Sequence, residues 1–437
     1  MIPTCYPLQG GGTLRVLPSQ RFKSSMLSVS AVLPIERDKV WKTTLLLAVL
    51  RRGTQKYPTL ASINARLDYL FGTELSIRNF YRGDSQIVGF TVDFLDTSFV
   101  TDREELLDGI LDVISQILYH PLLDEEGRLL ERYVESEKKL QCEAIRAVRN
   151  NPRAYALEHC LELVYADEPC GAPVAGREED IMAISAAELT AHWRELISAI
   201  RFDCFFVGRE KAEVLCPRLN AALCSPGTKA MEPSLLYRVP AAIKAETLRV
   251  EESLPVSQGQ LLLSYRTDIT LTHSDYASCV LLNEILGASP ISKLFLNVRE
   301  KLGLCYHCSS SFNGFKGTLT VSCGLEPKNR ELAQREILAQ LEAIRRGEIG
   351  EEELLAAKKS LENVYRQLTD SPSAMESFYY GRALLGLDTT IEESRARFAD
   401  VTREQIVAAA NSLKLDTVYF LNGTLQGEER EEYDEED

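Results

Sequence analysis

Apolar and polar positions follow two related series of segments, one in each half of the chain. In the first half, the strand-like run MLSVSAVLP leads through polar residues to an apolar helical run that ends at Gly53. In the second half, GQLLLSYRT leads to a similar run that ends at Gly287. Short apolar runs rich in β-branched residues predict strands, and the longer ones predict helices. Each half is therefore predicted to begin with a strand followed by a buried helix.

The later segments of the two halves also correspond. Pro152 in RNNPRAYALE and Pro372 in TDSPSAMESF are 220 positions apart. Ser185 and Thr402 are 217 positions apart, and each is followed three residues later by Glu or Gln, which is the capping-box signature of a helix start. Each of these helices leads to a β-rich run, DCFFVG or DTVYFLNG. Two unrelated domains of the same class could share part of this order, but the matched caps, prolines and spacing favour an internal duplication.

The shared order predicts the α+β class, with two tandem homologous domains. Each domain is expected to be a mostly antiparallel sheet with helices packed on one face. The first domain is predicted at residues 1–223, and the second at 247–426. A linker rich in Pro and Ala is predicted at 224–246, and an acidic disordered tail at 427–437.

Composition limits the partners and the compartment of the protein. The 437 residues carry a net charge of -15, which argues against nucleic acid or an anionic membrane as the main partner. No apolar run approaches the roughly 18 residues of a membrane-spanning helix, and the N-terminus does not resemble a secretory signal. The eleven scattered cysteines favour reduced thiols and a cytoplasmic location.

Several stretches resemble the insulinase-like zinc metallopeptidases, peptidase family M16, which include pitrilysin and mitochondrial processing peptidase. They are RRGT after the first apolar helix, EPCGAPVAG at 168–176 and LFLNVREKLGLCYHCSSSF at 294–312. The resemblance covers the chain up to its acidic tail and implies a half-length member of the family. LRRGTQKYPTLASINARLDYLFGTEL looks most like a bacterial branch associated with aminopentanol modification of elongation factor P.

The resemblance also implies that the metal centre of the family is absent. Active members carry H-x-x-E-H just before the GT dipeptide, with two His that bind zinc and a Glu that activates water. In this chain those positions are Thr44, Leu47 and Ala48, which are neither metal ligands nor bases. A Glu on a later helix supplies the third ligand in active members, and Glu143 is the nearest match. We therefore expect no zinc, no cofactor and no peptidase activity from this chain alone.

Arg299 and Tyr306 match the Arg and Tyr of the family's second domain. From the sequence alone, Arg299 could simply offset a helix dipole and Tyr306 could simply pack at a strand start. The resemblance instead implies that the pair holds the substrate backbone or the developing oxyanion. Arg offers a permanent forked donor, and a phenol can donate to an oxyanion.

Three further motifs are weaker. YALEH at 155–159 resembles a zinc motif but has Tyr in the first position and falls on a different helix. CYHC at 305–308 has the C-x-x-C spacing of redox and zinc sites, but it has no second C-x-x-C and lies in a strand-like run. GGG at 10–12 does not lie between a strand and a helix, so it predicts a loop rather than a phosphate site.

Three functions follow from the resemblance. The first is a non-catalytic subunit that pairs with a zinc-bearing homologue, or with a second copy of itself, and contributes Arg299 and Tyr306 in trans to a chamber that processes peptides. The second is a purely structural scaffold subunit. The third is a peptide-binding carrier in a modification system. Retention of Arg299 and Tyr306 favours the first function over the second.

Overall fold

The computed structural model describes residues 2–224, 236 and 243–425, and the chain divides into two compact units. Each unit combines most of one half of the chain with one short segment from the other half. The first unit consists of Met1–Ile145, Ala172–Arg238 and Leu368–Thr390. The second consists of Arg146–Gly171, Val239–Gln367 and Ile391–Asp437. The predicted linker lies outside the described residues except for residues 224, 236 and 243–246, and the predicted tail lies wholly outside them.

The described part of the chain contains eleven strands and fourteen α-helices. The strands are β1 Thr4–Pro7, β2 Thr13–Pro18, β3 Ser24–Pro34, β4 Glu74–Arg82, β5 Ser85–Leu95, β6 Asp203–Gly208, β7 Leu248–Leu254, β8 Gly259–Arg266, β9 His307–Asn313, β10 Thr318–Leu325 and β11 Lys414–Gly423. The helices are α1 Val40–Leu50, α2 Leu60–Tyr69, α3 Arg103–Tyr119, α4 Glu131–Ala147, α5 Pro152–Val164, α6 Glu178–Ala183, α7 Ala186–Ala199, α8 Ala212–Leu223, α9 Tyr276–Asn283, α10 Arg330–Arg345, α11 Glu351–Gln367, α12 Pro372–Ala383, α13 Ile391–Asp400 and α14 Arg403–Ser412. Two π-helical segments follow α9, at Glu284–Ala288 and Leu294–Lys301.

The two sheets have the same strand order, apart from one additional edge strand in the first. The first sheet has the order β1-β2-β6-β3-β5-β4, and the second has β7-β11-β8-β10-β9. Each contains one parallel pair at the same place, β2 with β6 and β7 with β11, and all other pairs are antiparallel. The predicted α+β class with two mostly antiparallel sheets is therefore confirmed, and the shared order supports the predicted duplication.

The main helical layer covers one face of each sheet, as the alternation of side chains dictates. On β3, Leu27, Val29 and Ala31 belong to the large apolar core that the sheet shares with the helices. On β8, Leu261 and Leu263 occupy the same position in the core of the second unit. The helices thus bury the apolar face of each sheet, as the sequence pattern predicts.

One helix also covers the opposite face of each sheet, and it comes from the other half of the chain. In the first unit α12 packs on β6 and β3, and Ser28 on the less apolar face of β3 donates a 3.0 Å hydrogen bond to Glu376. In the second unit α5 packs on β11 and β8, where Tyr155 and Cys160 join Leu262 in a separate apolar cluster. The predicted continuous domains therefore differ from the compact units by the exchange of one helical segment.

Candidate functional site

The three degenerate zinc positions lie on α1 in the first unit. Leu47 is buried at 3% exposure in the main core, while Thr44 and Ala48 are half-buried. The Thr44 hydroxyl donates to the carbonyl oxygen of Val174 at 2.7 Å and accepts from Asn79 Nδ2 at 2.7 Å. Asn79 is held in turn by Gln86, whose Nε2 donates to Asn79 Oδ1 at 2.9 Å. Hydrogen bonds between neutral groups thus occupy the polar side of α1.

The segment that follows EPCG passes directly over α1. Gly176 has a φ of +81°, and a Cβ at this position would lie 2.5 Å from the Cβ of Trp41, so only glycine fits here. Gln141 Nε2 on α4 donates to the carbonyl oxygen of Ala175 at 2.5 Å. Two neighbouring carbonyl groups, at Val174 and Ala175, are therefore bound by side chains from α1 and α4.

Glu143, the nearest sequence match to the third zinc ligand, does not belong to this arrangement. Its side chain is exposed, whereas Gln141, two residues earlier on α4, reaches the segment above α1. Helical geometry explains the difference, since residues two apart on a helix point about 200° apart. An amide rather than a carboxylate occupies the α4 position that faces this region.

The RRGT sequence after α1 has a structural explanation. Gly53 lies so close to the backbone of Pro58 that an added Cβ would approach its carbonyl oxygen to 2.5 Å. Thr54 is fully buried and pairs through its N–H with the carbonyl oxygen of Tyr57 at 2.7 Å. Arg52 forms an ion pair with Glu137 on α4. These residues fix the end of α1 against its neighbours and need no metal to do so.

The residues that the sequence resemblance aligns with the family's metal position do not fit zinc. Zinc in proteins takes His, Cys or carboxylate ligands, and positions 44, 47 and 48 offer a hydroxyl and two hydrocarbon side chains. Among the described residues, no group of three His, Cys, Asp or Glu side chains close enough to share an ion includes a residue of α1. No hydrolytic step through a metal can be derived at this helix.

Arg299 lies in the π-helical segment Leu294–Lys301 of the second unit. Its side chain is 43% exposed, its guanidinium lies over the ring of Phe295 at 4.8 Å, and its Nε lies 3.6 Å from a carboxylate oxygen of Glu300. Gly303, with a φ of +59°, turns the chain after this segment and donates its N–H to the Arg299 carbonyl oxygen at 3.1 Å. The backbone of Arg299 is thus fixed while the guanidinium keeps access to solvent.

Tyr306 immediately precedes β9 and is 50% exposed. Its N–H donates to the carbonyl oxygen of Gly324 at 2.8 Å, and the preceding Leu304 is held by a 3.1 Å bond from its own N–H to Val298. Within the described part of the chain, the Tyr306 hydroxyl has no hydrogen-bond partner. The structure thus places Arg299 and Tyr306 on one anchored segment, and it places neither of them on the unit that carries α1.

Three cysteines meet beside Tyr306. The sulfur atoms of Cys305, Cys308 and Cys323 all lie within 4.8 Å of one another. Hydrogen bonds from Cys308 and Cys323 stabilise a thiolate at Cys305 and lower its pKa below the usual value. Cys323 directly faces Cys308 across the β9–β10 ladder.

Sequence reasoning missed Cys323, because it lies 15 residues beyond the C-x-x-C spacing and joins it only through strand pairing. A predicted pairing of β9 with β10 would have placed Cys323 opposite Cys308.

The YALEH resemblance, in contrast, has a structural explanation. Tyr155 donates to Glu252 at 2.6 Å, and the His159 ring stacks on the Tyr155 ring at 4.0 Å with its Nδ1 3.4 Å from Glu252.

Comparison with known families and proteins agrees with this geometry. The family described as peptidase M16 inactive domain matches residues 183–361. A Bacillus subtilis protein described as the probable inactive metalloprotease YmfF is 29% identical over 415 residues, which cover 95% of this chain and 96% of that protein. The uncharacterized zinc protease YmxG of the same organism is 22% identical, with 82% of this chain and 86% of that protein covered.

Solved structures share the fold along nearly the whole chain. A conserved protein from Enterococcus faecalis V583 superposes with a TM-score of 0.89 at 26% identity, over 98% of this chain and 100% of that one. A peptidase M16 inactive domain from Pseudomonas fluorescens superposes with a TM-score of 0.80 at 18% identity, over 98% and 100% of the two chains.

The chain is therefore similar to inactive M16-like homologues of the insulinase-like peptidases. It shares the two-domain fold of the solved relatives, and the positions that the sequence resemblance aligns with the metal centre of those peptidases carry Thr44, Leu47 and Ala48. None of its helices, within the part that the structure describes, is long and apolar enough to cross a membrane.

Proposed function

We propose that this chain is a non-catalytic subunit that pairs with a zinc-bearing homologue and completes a peptide-processing chamber. In this proposal Arg299 and Tyr306 act in trans on a peptide whose cleavage the partner's metal catalyses. The observation that carries the proposal is that Arg299 and Tyr306 are exposed side chains on an anchored backbone. Both side chains are exposed, the Tyr306 hydroxyl has no partner among the described residues, and the backbone that carries them is anchored.

The chemistry of the two side chains suits this role. A tetrahedral intermediate at the scissile carbonyl carries a negative oxygen, and a phenol O–H is a donor that can stabilise it. The planar guanidinium of Arg299 can bind a peptide carbonyl group with two parallel N–H donors, which a lysine cannot do. An anchored backbone favours this use, because catalytic donors must be positioned before the charge develops.

The relatives support the choice of partner. Bacillus subtilis strain 168 has both a relative described as probably inactive and another described as a zinc protease, and this chain matches both. The proposed complex needs one chain of each kind. A homodimer would contain two copies of the same degenerate α1 and would have no metal at that position.

The alternatives remain a purely structural scaffold subunit and a peptide-binding carrier. A scaffold needs assembly but no exposed Arg and Tyr pair. A carrier needs peptide binding but no cleavage by a complex. The association with aminopentanol modification of elongation factor P stays a prediction and would fit the carrier.

The test is a mixing experiment with the zinc-bearing homologue from the same organism. Tyr306→Phe removes one donor, and we expect the peptidase rate of the mixed complex to fall by up to about 10²–10³, the usual cost of one oxyanion donor. Arg299→Lys should lower the rate as well, because a point charge cannot replace the fork. Tyr69→Phe, at another exposed tyrosine (65% exposed), is the matched control and should leave the rate unchanged.

Assembly is measured alongside the rate by a pull-down. A loss of rate with normal assembly supports the role in trans. Wild-type rates for both variants, with normal assembly, would leave the scaffold as the function. Peptide binding by this chain without cleavage by any mixture would leave the carrier.

A further inference from the structure

We propose that Cys305, Cys308 and Cys323 form a three-thiolate site for a single copper(I) ion in the second unit. The site is separate from the α1 position, and it does not depend on a partner chain.

The geometry of the three sulfur atoms fits a shared ion. All three lie within 4.8 Å of one another. A thiolate–metal bond of about 2.3 Å places the sulfurs of a trigonal or tetrahedral site about 3.8–4.0 Å apart. Small side-chain rotations therefore suffice to bring three ligands onto one ion, and no backbone change is needed.

The fold holds the three cysteines in place. Cys308 and Cys323 are cross-strand partners in the β9–β10 ladder, and both side chains point into the core under the helical layer. Cys305 is held by its neighbours, since Leu304 bonds to Val298 and Tyr306 bonds to Gly324. Two ligands thus come from paired strands, and the third comes from the anchored turn before β9.

The ligand set selects the ion. Thiolates favour soft ions such as copper(I), whereas structural zinc sites have four protein ligands. Within the described residues, no fourth Cys, His, Asp or Glu joins the cluster. The His307 ring, although adjacent in sequence, is not part of the three-residue group, and its Nε2 lies 3.4 Å from Ser322 Oγ. A site with three sulfur ligands and no fourth group suits copper(I).

Burial and charge are compatible with an ion at this place. Cys308 and Cys323 are 4% and 0% exposed, so the ion would be shielded from solvent and from larger thiols. Cys305 is half-buried and provides the entry route. When the ion binds, any cysteine of the cluster that is still a thiol releases its proton to solvent. The three thiolates and one copper(I) ion together carry negative charge, which the positive charge of nearby Arg299 partly offsets.

The experiment is a copper(I) titration of the full chain, purified reduced and free of metal. A copper(I) chelator competes for the ion, and the thiolate-to-copper charge-transfer absorption reports binding. We expect one ion per chain. Cys305→Ser, which removes the least buried ligand, should weaken binding by more than about 100-fold, since loss of an outer-shell partner alone costs 10–100-fold.

The controls separate the cluster from the other eight cysteines. Cys5→Ser and Cys216→Ser change cysteines outside the cluster in the first unit and should bind copper(I) as the wild type does. Cys323→Ala, checked for folding by circular dichroism, should also lose the ion. Unchanged binding in both Cys305→Ser and Cys323→Ala would overturn the proposal. So would a wild-type chain that binds no copper(I), that retains zinc(II) at one ion per chain through these cysteines, or whose cysteines pair as a disulfide under the same reducing conditions.

Discussion

Glu168 is a fully buried carboxylate in the second unit, and it neutralises two buried cations. One carboxylate oxygen lies 2.5 Å from Arg266 Nη2 and the other lies 2.5 Å from Lys316 Nζ. The side chains of Arg266 and Lys316 are 0% and 4% exposed. Neither cation is exposed to bulk water, so the Glu168 carboxylate supplies compensating charge that solvent cannot replace.

We predict that Glu168→Ala lowers the free energy of unfolding by about 3–5 kcal/mol, because it leaves uncompensated charge in the interior. Denaturant unfolding measures this change. The matched control is Glu348→Ala, which breaks the exposed pair with Arg346 and should change the free energy of unfolding far less, because exposed ion pairs contribute little to stability. Equal effects of the two variants would contradict the role given to Glu168.

His192 makes the first unit sensitive to acid. Its Nε2 lies 2.9 Å from the hydroxyl oxygen of Thr43 on α1, and burial lowers its pKa below the usual value. The carboxylates of Glu195 and Glu36 raise the pKa of His192, and the amines of Lys42 and Lys39 lower it. Burial outweighs the carboxylates, so the imidazole stays neutral in the folded chain at pH values where the unfolded chain takes up a proton.

The sign of the pH effect follows from this difference. In the unfolded chain, His192 titrates near pH 6.5. The free energy of unfolding should therefore fall as the pH drops below about 6.5. It should stop falling once the pH is below the pKa of His192 in the folded chain. His192→Gln keeps a hydrogen-bonding side chain without the titration. Urea unfolding at pH 7.5 and 5.5 should show a smaller pH difference for this variant than for the wild type. An identical difference in the two proteins would contradict the prediction.

At the level of elements, the two capping boxes match in the structure as they do in the sequence. Ser185 accepts a 3.2 Å bond from the N–H of Glu188, whose carboxylate accepts the N–H of Ser185 at 2.9 Å. Thr402 and Gln405 make the same pair of bonds at 3.3 and 2.8 Å. Each box begins the helix that leads to the strand in the parallel pair of its sheet.

We predict that Ser185→Ala and Thr402→Ala each lower the free energy of unfolding by about 0.5–2 kcal/mol, the usual cost of an N-cap. Ser185→Thr and Thr402→Ser keep the hydroxyl and should cost less than their alanine counterparts. Thermal or denaturant unfolding of the four variants makes the comparison. An alanine variant as stable as its hydroxyl control would show that the cap contributes nothing there.

Local signals in the sequence therefore predicted where helices and strands begin. They did not predict the sheet on which each helix packs. Asn151 and Ser371 cap α5 and α12, whose first residues are the two matched prolines, and this start is readable from the sequence. The destination of each helix, on the sheet formed mainly by the other half, depends on contacts between residues far apart in sequence. The third cysteine at position 323 was missed for the same reason, whereas the assignment of Thr44, Leu47 and Ala48 to the metal positions came from the family resemblance and stays a prediction.

At the level of the whole molecule, the same strand order in the two sheets shows that one fold is built twice along the chain. The apolar cores of the two units are built from β-strand alternation and helix faces, and none of these contacts requires a metal. On α1, Leu47 belongs to the core and Thr44 to a hydrogen-bond network. The packing of the two units thus rests on residues other than the predicted metal-site positions Thr44 and Ala48.

The most direct test of this account is peptide hydrolysis by the purified chain alone, with zinc supplied and with a chelator in a parallel sample. We predict no cleavage above the buffer rate in either sample, because Thr44, Leu47 and Ala48 offer neither a zinc ligand nor a base. Cleavage by the chain alone that zinc supports and the chelator abolishes would contradict it.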